Sequence, residues 1–188
     1  SDLNEDVIKA SNYLFLEGYL VASPKGIEVC KKAIKIAKES GTKVSISLSD
    51  PNIVNAFKNE IKTLLDMKCD LVFCNEDEAL AYTEKDNILD AVQIFKEKSP
   101  NFLITQGSSG CLGFDGENEF NIPGIKVNAI DSNGAGDMFA GAVLYCITSG
   151  SSLEKGAIFG CYAASKVVGN VGPRLIKNEY HEIKNNFF

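Results

Sequence analysis

The segment from Asp131 to Asp137 places two carboxylates and several small residues where an apolar helix is predicted to begin. It reads Asp-Ser-Asn-Gly-Ala-Gly-Asp. Small residues let a phosphate approach the backbone, and the first amides of a helix carry unpaired N–H groups at the positive end of the helix dipole. The amides of Gly134, Ala135 and Gly136 therefore form a candidate anion hole.

The carboxylate of Asp137 is next to this candidate anion hole in the sequence. It could accept a proton from a hydroxyl group that attacks a phosphoryl group held by the amides. Two other interpretations stay open: the glycines could serve close helix packing, and an aspartate in a first turn stabilises a helix electrostatically. A G-x-G-x-x-G dinucleotide fingerprint is excluded because Phe139 occupies its third glycine position, and no Walker A sequence occurs.

The segment from Asp131 to Asp137 closely resembles the D-[TS]-x-G-A-G-D signature of the ribokinase-like, or PfkB, family of carbohydrate and nucleoside kinases. The residues from Asn75 to Glu78 resemble the N-x-x-E motif of that family, and those from Thr105 to Gly110 resemble its T-x-G-x-x-G loop. The motifs follow the order and spacing of the family, and the resemblance covers nearly the whole chain. Residues 47–51, 160–165 and 172–175 are most similar to the adenosine kinase branch and its bacterial relatives, although Cys161 replaces the histidine common there.

The resemblance implies ATP-dependent phosphotransfer to a hydroxyl of a sugar or nucleoside, with Mg2+ as the metal. Asp137 would be the catalytic base, and the amides of Gly134, Ala135 and Gly136 would stabilise charge on the transferred phosphoryl group. Asp131 would support this loop and its metal environment.

The resemblance also implies a metal pair and a set of nucleotide contacts. Asn75 and Glu78 would hold Mg2+ through water, since this ion prefers oxygen ligands and keeps much of its hydration. The alternative is an asparagine cap followed by acids in the first turn of a helix. The nucleotide-binding residues would be Thr105, Gly107, Ala164 and Asn170, although a hairpin turn and ordinary helix packing are alternatives for Gly107 and Ala164.

Strands and helices that alternate along the chain must position these residues. We predict buried strands at 13–16, 44–48, 70–74 and 102–105, and hairpin strands at 110–114 and 120–122. We predict helices at 24–41, from 51 through 65, after Asn75, at 88–98, at 135–149 and at 153–168, with the last two closing the chain. This alternation indicates an α/β fold with a mostly parallel sheet.

The resemblance refines this prediction to the three-layer αβα ribokinase-like sheet, with a β-hairpin region towards the C-terminus. Residues 1–188 would form a single domain, the C-terminal nucleotide-binding half of such a kinase, without the N-terminal half and its lid. The run from Tyr13 to Leu16 is typical of a strand with neighbours on both sides. We therefore expect the missing half, or a second copy of the chain in a homodimer, to pair with this strand.

Composition excludes several classes of protein. The 188 residues carry a net charge of -6, which disfavours nucleic acid as a partner. No apolar run approaches the roughly 20 residues that cross a bilayer, so we expect no membrane partner and a cytoplasmic location. The expected partners are ATP and a small-molecule sugar or nucleoside. The alternative functions are a non-catalytic nucleotide- or anion-binding module that acts with a partner chain, and a structural remnant that binds nothing.

Overall fold

A computed structural model of the chain describes residues 3–187, apart from the side chain of Lys177. Its strands are β1 (Tyr13–Glu17), β2 (Lys43–Ser47), β3 (Leu71–Asn75), β4 (Phe102–Thr105), β5 (Gly110–Phe114) and β6 (Glu119–Pro123). They form one sheet in which the spatial order of the strands follows their order in the chain.

The first three strands are parallel. Leu14 of β1 is opposite Val44 of β2, and Ile46 of β2 is opposite Val72 of β3. Val44 and Ile46 on one face of β2 and Ser45 on the other are fully buried, as expected for a strand covered on both faces. The predicted α/β class with a mostly parallel sheet is confirmed.

The helices are α1 (Glu5–Lys9), α2 (Pro24–Ser40), α3 (Pro51–Ala56), α4 (Lys58–Asp66), α5 (Glu76–Thr83), α6 (Ile88–Lys98), α7 (Ala135–Thr148), α8 (Leu153–Val168) and α9 (Lys177–Phe187). Local capping explains the bounds of α2. The Ser23 side chain accepts a hydrogen bond from the Gly26 amide, and Gly41 ends the helix at a φ of 80°.

The structure differs from the prediction at three helices. The single helix predicted from Pro51 through Leu65 is two helices, because Phe57 leaves the helical region with a φ of -127° and a ψ of 34°. The short helix α1 was not predicted. The prediction that two helices close the chain is wrong, since α9 follows them and buries Ile183.

Strand β1 is at the end of the sheet order. Its residues Tyr13, Leu14 and Phe15 are half-buried, and Leu16 is buried. Within residues 3–187, β1 pairs with β2 alone, so its other edge has no strand beside it. Pairing of this edge with the missing half or with a second copy stays a prediction.

The chain divides into two compact units. The first unit contains the residues up to Ile104 together with Phe114–Glu119, and the second contains Thr105–Gly113 together with the residues from Phe120 onwards. In the second unit α7 and α8 pack closely, because Gly160 leaves room for the ring of Phe139. Among residues 3–187, no helix has both the length and the apolar character that a membrane span requires.

Candidate functional site

The loop before α7 is held by the carboxylate of Asp131. Asp131 Oδ1 accepts a hydrogen bond from the Asn133 amide at 3.0 Å, and Asp131 Oδ2 accepts one from the Gly172 amide at 2.9 Å. The Asn133 amide, and after it the Gly172 amide, lower the pKa of the Asp131 carboxyl. Asp131 is therefore placed to support the loop. Loop support is one of the two roles that the family resemblance implies for Asp131, the other being support of the metal environment.

Gly134 begins α7 in the left-handed region, at a φ of 75°. A Cβ on this residue would be 2.7 Å from Cβ and 2.8 Å from Cα of Pro173, so the position has no space for a side chain. Gly136 differs, because a Cβ there would meet nothing within 4 Å. Gly134 is thus required by its backbone conformation and by packing, whereas Gly136 leaves open space at the first turn of the helix.

The amides of the candidate anion hole differ in their partners. The Ala135 amide donates to Ser132 O at 3.2 Å, so it already has an acceptor within the loop. Within residues 3–187, the amides of Gly136 and Asp137 have no acceptor. These two N–H groups at the start of a 14-residue helix are available to an anion.

Asp137 is in the first turn of α7 and its side chain is exposed. Its carboxylate is therefore open to a small-molecule hydroxyl near the helix N-terminus. The same position also suits the electrostatic stabilisation of the helix. Both interpretations stay compatible with this placement.

The residues from Thr105 to Gly110 form a tight turn between β4 and β5. Gly107 has a φ of 55° and starts a short 3-10 helix, and the Gln106 amide donates to Gly110 O at 2.8 Å. A Cβ on Gly110 would collide with the backbone of Ile122. The glycines of this loop are therefore explained by the turn itself, while Thr105 at the end of β4 is half-buried.

The two remaining nucleotide-binding candidates belong to α8 and to the residues that follow it. Ala164 is half-buried in α8. The side-chain amide of Asn170 donates to Lys166 O at 2.8 Å, and its backbone amide donates to Val167 O at 2.9 Å. Asn170 therefore closes the end of α8, and Ala164 presents no polar group to a ligand.

Asn75 and Glu78 form a reciprocal cap at the start of α5, in the first unit. Asn75 Oδ1 accepts a hydrogen bond from the Glu78 amide at 2.8 Å, and Glu78 Oε2 accepts one from the Asn75 amide at 3.0 Å. Asn75 Nδ2 also donates to Glu78 Oε1 at 2.7 Å. This is a complete capping box, the structural interpretation that the sequence left open.

The environment of Glu78 is unusual for a carboxylate. Only 5% of the residue is exposed. Burial raises the pKa of Glu78 from 4.5 to about 7, against the lowering effect of the Asn75 amide, and the charges of Asp50 and Asp77 raise it further. A buried carboxylate with such a pKa marks a candidate functional position.

The donor chemistry of this pair fits a magnesium ion. Glu78 and Asn75 offer carboxylate and amide oxygens, and each of these oxygens can accept a second hydrogen bond from metal-bound water. A cation would favour the ionised form of Glu78 and would lower its pKa. The pair belongs to the first unit, and Asp137 belongs to the second.

Sequence reasoning identified Asp50 with Pro51 as the start of a helix, and Asp50 caps α3 through the Asn52 and Ile53 amides. It missed two contributions to these sites. One is the charge of Asp50, which raises the pKa of Glu78. The other is the contact of Gly172 and Pro173 with the Asp131 loop, which they follow by about forty residues. Residues 172–175 were singled out only by their similarity to the adenosine kinase branch, and nothing local in the sequence identified this partner.

The chain is similar to a known protein family and to several of its members. The family model described as pfkB family carbohydrate kinase matches residues 1–179. Probable fructokinase-5 from Arabidopsis thaliana is 27% identical over 164 residues, which cover 81% of this chain and 49% of that protein. The chain thus spans about half the length of this curated relative.

Solved structures show the same arrangement of elements. An adenosine kinase from Sinorhizobium meliloti superposes with a TM-score of 0.93 at 28% identity, covering 98% of this chain and 57% of that chain. An E. coli protein named "putative Ribokinase II", in complex with ATP and Mg2+, superposes with a TM-score of 0.86 at 19% identity, covering 98% and 62%. The second similarity concerns the fold alone.

Proposed function

Because the chain belongs to the pfkB family of carbohydrate kinases and has the ribokinase-like fold, we propose that it carries the phosphate-transfer residues of an ATP-dependent kinase. The acceptor is a hydroxyl group of a sugar or nucleoside. Family membership supports the reaction class, and the names of the relatives, which include fructokinases and adenosine kinases, support the two acceptor classes.

The observation that carries this proposal is the start of α7. Two amides without an acceptor, those of Gly136 and Asp137, adjoin an exposed carboxylate in the same helical turn. This arrangement suits the transfer of a phosphoryl group to a hydroxyl. The amides would stabilise the negative charge of the phosphoryl group, and the carboxylate would accept the hydroxyl proton.

In the proposed reaction, the acceptor hydroxyl attacks the γ-phosphorus of ATP in line with the bond to the leaving ADP oxygen. The carboxylate of Asp137 takes the hydroxyl proton as the new oxygen–phosphorus bond forms. The amides of Gly136 and Asp137 stabilise the charge on the phosphoryl oxygens, and the Gly134 amide adds to this field. The Ala135 amide contributes by sharing its N–H between Ser132 O and the ligand. Asp131 contributes by keeping the loop in place through its two hydrogen bonds.

We assign Asn75 and Glu78 to the water shell of a magnesium ion. When bound, such an ion neutralises charge on the phosphates and helps to orient them. Glu78 must be ionised for this role, so metal binding releases a proton where the pH is near or below the pKa of about 7. The capping box holds the Glu78 carboxylate in place before any ligand arrives.

The nucleotide contacts are part of the same proposal. Thr105 and Gly107 would face the phosphates, and Ala164 and Asn170 would adjoin the base. The exposed backbone of Gly107, at a φ of 55°, supports a close approach of the chain to a ligand. For Ala164 the support is its half-buried position on α8 alone.

The acceptor site is proposed to need residues beyond this chain. The matched relatives are about twice as long, so a whole protein of this family offers further surface for the sugar or nucleoside. A second region or partner chain would position the acceptor and exclude water. We expect the protein to act in the cytoplasm, where ATP and Mg2+ are available.

The test compares Asp137→Asn with Asp90→Asn in a kinase assay over sugars and nucleosides. Asp90 is a matched control, because it is also an exposed aspartate in the first turn of a helix, α6. In a protein that contains the acceptor region, Asp137→Asn should keep ATP binding and lose most of its turnover, and Asp90→Asn should keep both. Near-normal turnover of Asp137→Asn would remove the assigned base.

The 188 residues alone should bind ATP in the presence of Mg2+ and should show little or no phosphotransfer. Isothermal titration calorimetry measures the first property, and a radiometric kinase assay measures the second. ATP binding without turnover, even when an acceptor region is supplied, would favour the non-catalytic binding module. Absence of any ATP-dependent thermal shift would contradict nucleotide binding by this chain.

A further inference from the structure

The residues after α8 contact the candidate anion-binding loop at two points. The Gly172 amide donates to Asp131 Oδ2 at 2.9 Å, and Gly172 reaches this position with a φ of 89°, which favours glycine. Pro173 packs directly on Gly134, where no side chain fits between the two residues. We call Gly172 and Pro173 the brace.

The brace is anchored to the core of the second unit. Leu175, two residues after Pro173, is 7% exposed and belongs to the hydrophobic cluster formed by α7, α8 and α9. The Leu175 amide donates to the hydroxyl of Tyr180 at 3.3 Å, which ties the same segment to α9. The brace is therefore fixed on the side away from the loop.

The loop has little other support. The amides of Ile130 and Asp131 donate to Val168 O at 2.9 and 3.3 Å, which holds the entry to the loop against the end of α8. Between Asp131 and α7, residues Ser132 and Asn133 are exposed. The brace thus contacts the loop from outside at Gly134, the middle residue of the segment from Asp131 to Asp137 and the first residue of the candidate anion hole.

We infer that Gly172 and Pro173 are positioning residues that hold the Asp131–Asp137 loop in the conformation that binds the transferred phosphoryl group. This inference rests on the proposed kinase function. A loop of small residues with a glycine at positive φ has many accessible conformations, and fixing one of them before the ligand arrives removes an entropic cost from binding. Neither brace residue needs to touch the ligand.

The test uses the 188-residue chain with Pro173→Gly and, as a matched control, Val171→Gly. Both changes add a flexible glycine to the same segment, but Val171 is 83% exposed, whereas Pro173 packs on Gly134. Hydrogen exchange of the amides of residues 131–137 and of Gly172 reports the order of the loop. Calorimetry with ATP and Mg2+ reports ligand binding.

In Pro173→Gly, amides 131–137 should exchange faster and ATP should bind roughly fivefold to tenfold more weakly, the scale of one net hydrogen bond. Val171→Gly should change neither property. Pro173→Ala keeps the Cβ that lies against Gly134 and should restore most of both. Asp131→Asn, which leaves one oxygen for two N–H donors, should speed exchange at Gly172.

The outcomes separate the inference from the proposed function. Unchanged exchange at residues 131–137 in a folded Pro173→Gly variant would overturn the brace, whatever the chain binds. A purely structural role would lower the melting temperature of Pro173→Gly and Pro173→Ala alike without selective exchange at the loop, and that result would also overturn it. Failure of the unchanged chain to bind ATP would contradict the proposed function, while faster loop exchange in Pro173→Gly would still support the brace.

Discussion

The side chains of Asn75 and Glu78 satisfy one another at the end of β3. Asn75 Nδ2 donates to Glu78 Oε1 at 2.7 Å, while each residue's backbone amide donates to the side chain of the other. Since Glu78 is only 5% exposed, this single asparagine supplies the hydrogen bonds that water would otherwise give the carboxyl group. The pair is therefore at once a helix cap and a buried acid with an unusual pKa.

The buried acid should make stability depend on pH. The pKa of Glu78 rises from 4.5 to about 7 on folding, so between these values the folded chain holds a proton that the unfolded chain has lost. The free energy of unfolding should fall as the pH rises through this window, by up to roughly 3 kcal/mol, and change little from this cause above it. Urea unfolding from pH 4 to pH 8 measures the slope.

Glu78→Gln should lack this slope, because glutamine does not titrate. The absolute stability of Glu78→Gln tests this prediction less well than the slope does. With the side-chain NH2 of the glutamine in the place of Glu78 Oε1, two donors face each other, because Asn75 Nδ2 donates to Oε1 in the unchanged chain. Glu117→Gln, at an exposed position, should keep the slope of the unchanged chain. An identical slope in Glu78→Gln would show that another group titrates in this window.

Two asparagine caps should differ in what they contribute to stability. Asn87 caps α6 with a similar pair of side-chain contacts, Asp90 N to Asn87 Oδ1 at 3.0 Å and Asn87 Nδ2 to Asp90 Oδ2 at 2.8 Å, but this cap is exposed. Asn87→Ala should cost about 1 kcal/mol, the usual cost of losing a cap. Asn75→Ala should cost about 2–4 kcal/mol, because the buried acid also loses the donor to Glu78 Oε1 and keeps only the backbone amide of residue 75 at Oε2.

Chemical denaturation of both variants at pH 8, where Glu78 is ionised in the unchanged chain, measures the difference. At pH 5 the gap between the two variants should narrow, since the loss of the donor at Oε1 costs less when Glu78 is protonated. Equal losses at pH 8 would mean that water reaches Glu78 once the asparagine is removed.

Much of the fold could be predicted because its signals are local. Ser23 and Asp50 are helix caps that the proline following each of them makes recognisable, and the buried strands are short apolar runs. The errors at the break between α3 and α4 and at α9 have a tertiary cause. The break at Phe57 lies inside a continuous apolar pattern, and α9 depends on the packing of Ile183 and Phe187 on distant helices.

In the candidate site, too, the features with local signals could be predicted and the contacts between distant residues could not. The glycines before α7 were recognisable since the amides of a helix start need no distant partner. The hydrogen bond from Gly172 to Asp131 joins residues 41 apart, so only the folded chain shows it. The effect of the Asp50 charge on Glu78 is equally non-local, because the two residues follow different strands.

Two helical glycines of the second unit should respond to alanine in opposite directions. A Cβ on Gly160 of α8 would lie 2.7 Å from the ring of buried Phe139, so Gly160→Ala should overpack the contact between α7 and α8 and cost about 1–3 kcal/mol. Gly141 of α7 is exposed, and a Cβ there would meet nothing within 4 Å. Gly141→Ala should stabilise by about 0.5–1 kcal/mol through helix propensity. Thermal unfolding measures both, and stabilisation by Gly160→Ala would show that Phe139 can move aside.

The glycines of the candidate anion-binding loop offer a sharper comparison, because Gly134 and Gly136 are two residues apart and meet different surroundings. Gly134→Ala must hold a positive φ at a cost of about 1–2 kcal/mol and must also displace Pro173, because the new Cβ would collide with the Pro173 backbone oxygen and lie 2.7 Å from its Cβ. Gly136→Ala has open space in a helical turn and should be neutral or slightly stabilising.

Urea unfolding of the two variants should therefore differ by at least about 1–2 kcal/mol, in the sense that Gly134→Ala is the less stable. Pairing Gly134→Ala with Pro173→Gly isolates the contribution of the proline side chain. The double variant should lose less than the sum of the two single losses if contact with the proline ring contributes, since only the backbone of residue 173 then opposes the new Cβ. Full additivity would assign the cost to the backbone, that is, to the φ of Gly134 and to the contact of its new Cβ with the backbone oxygen and Cα of residue 173.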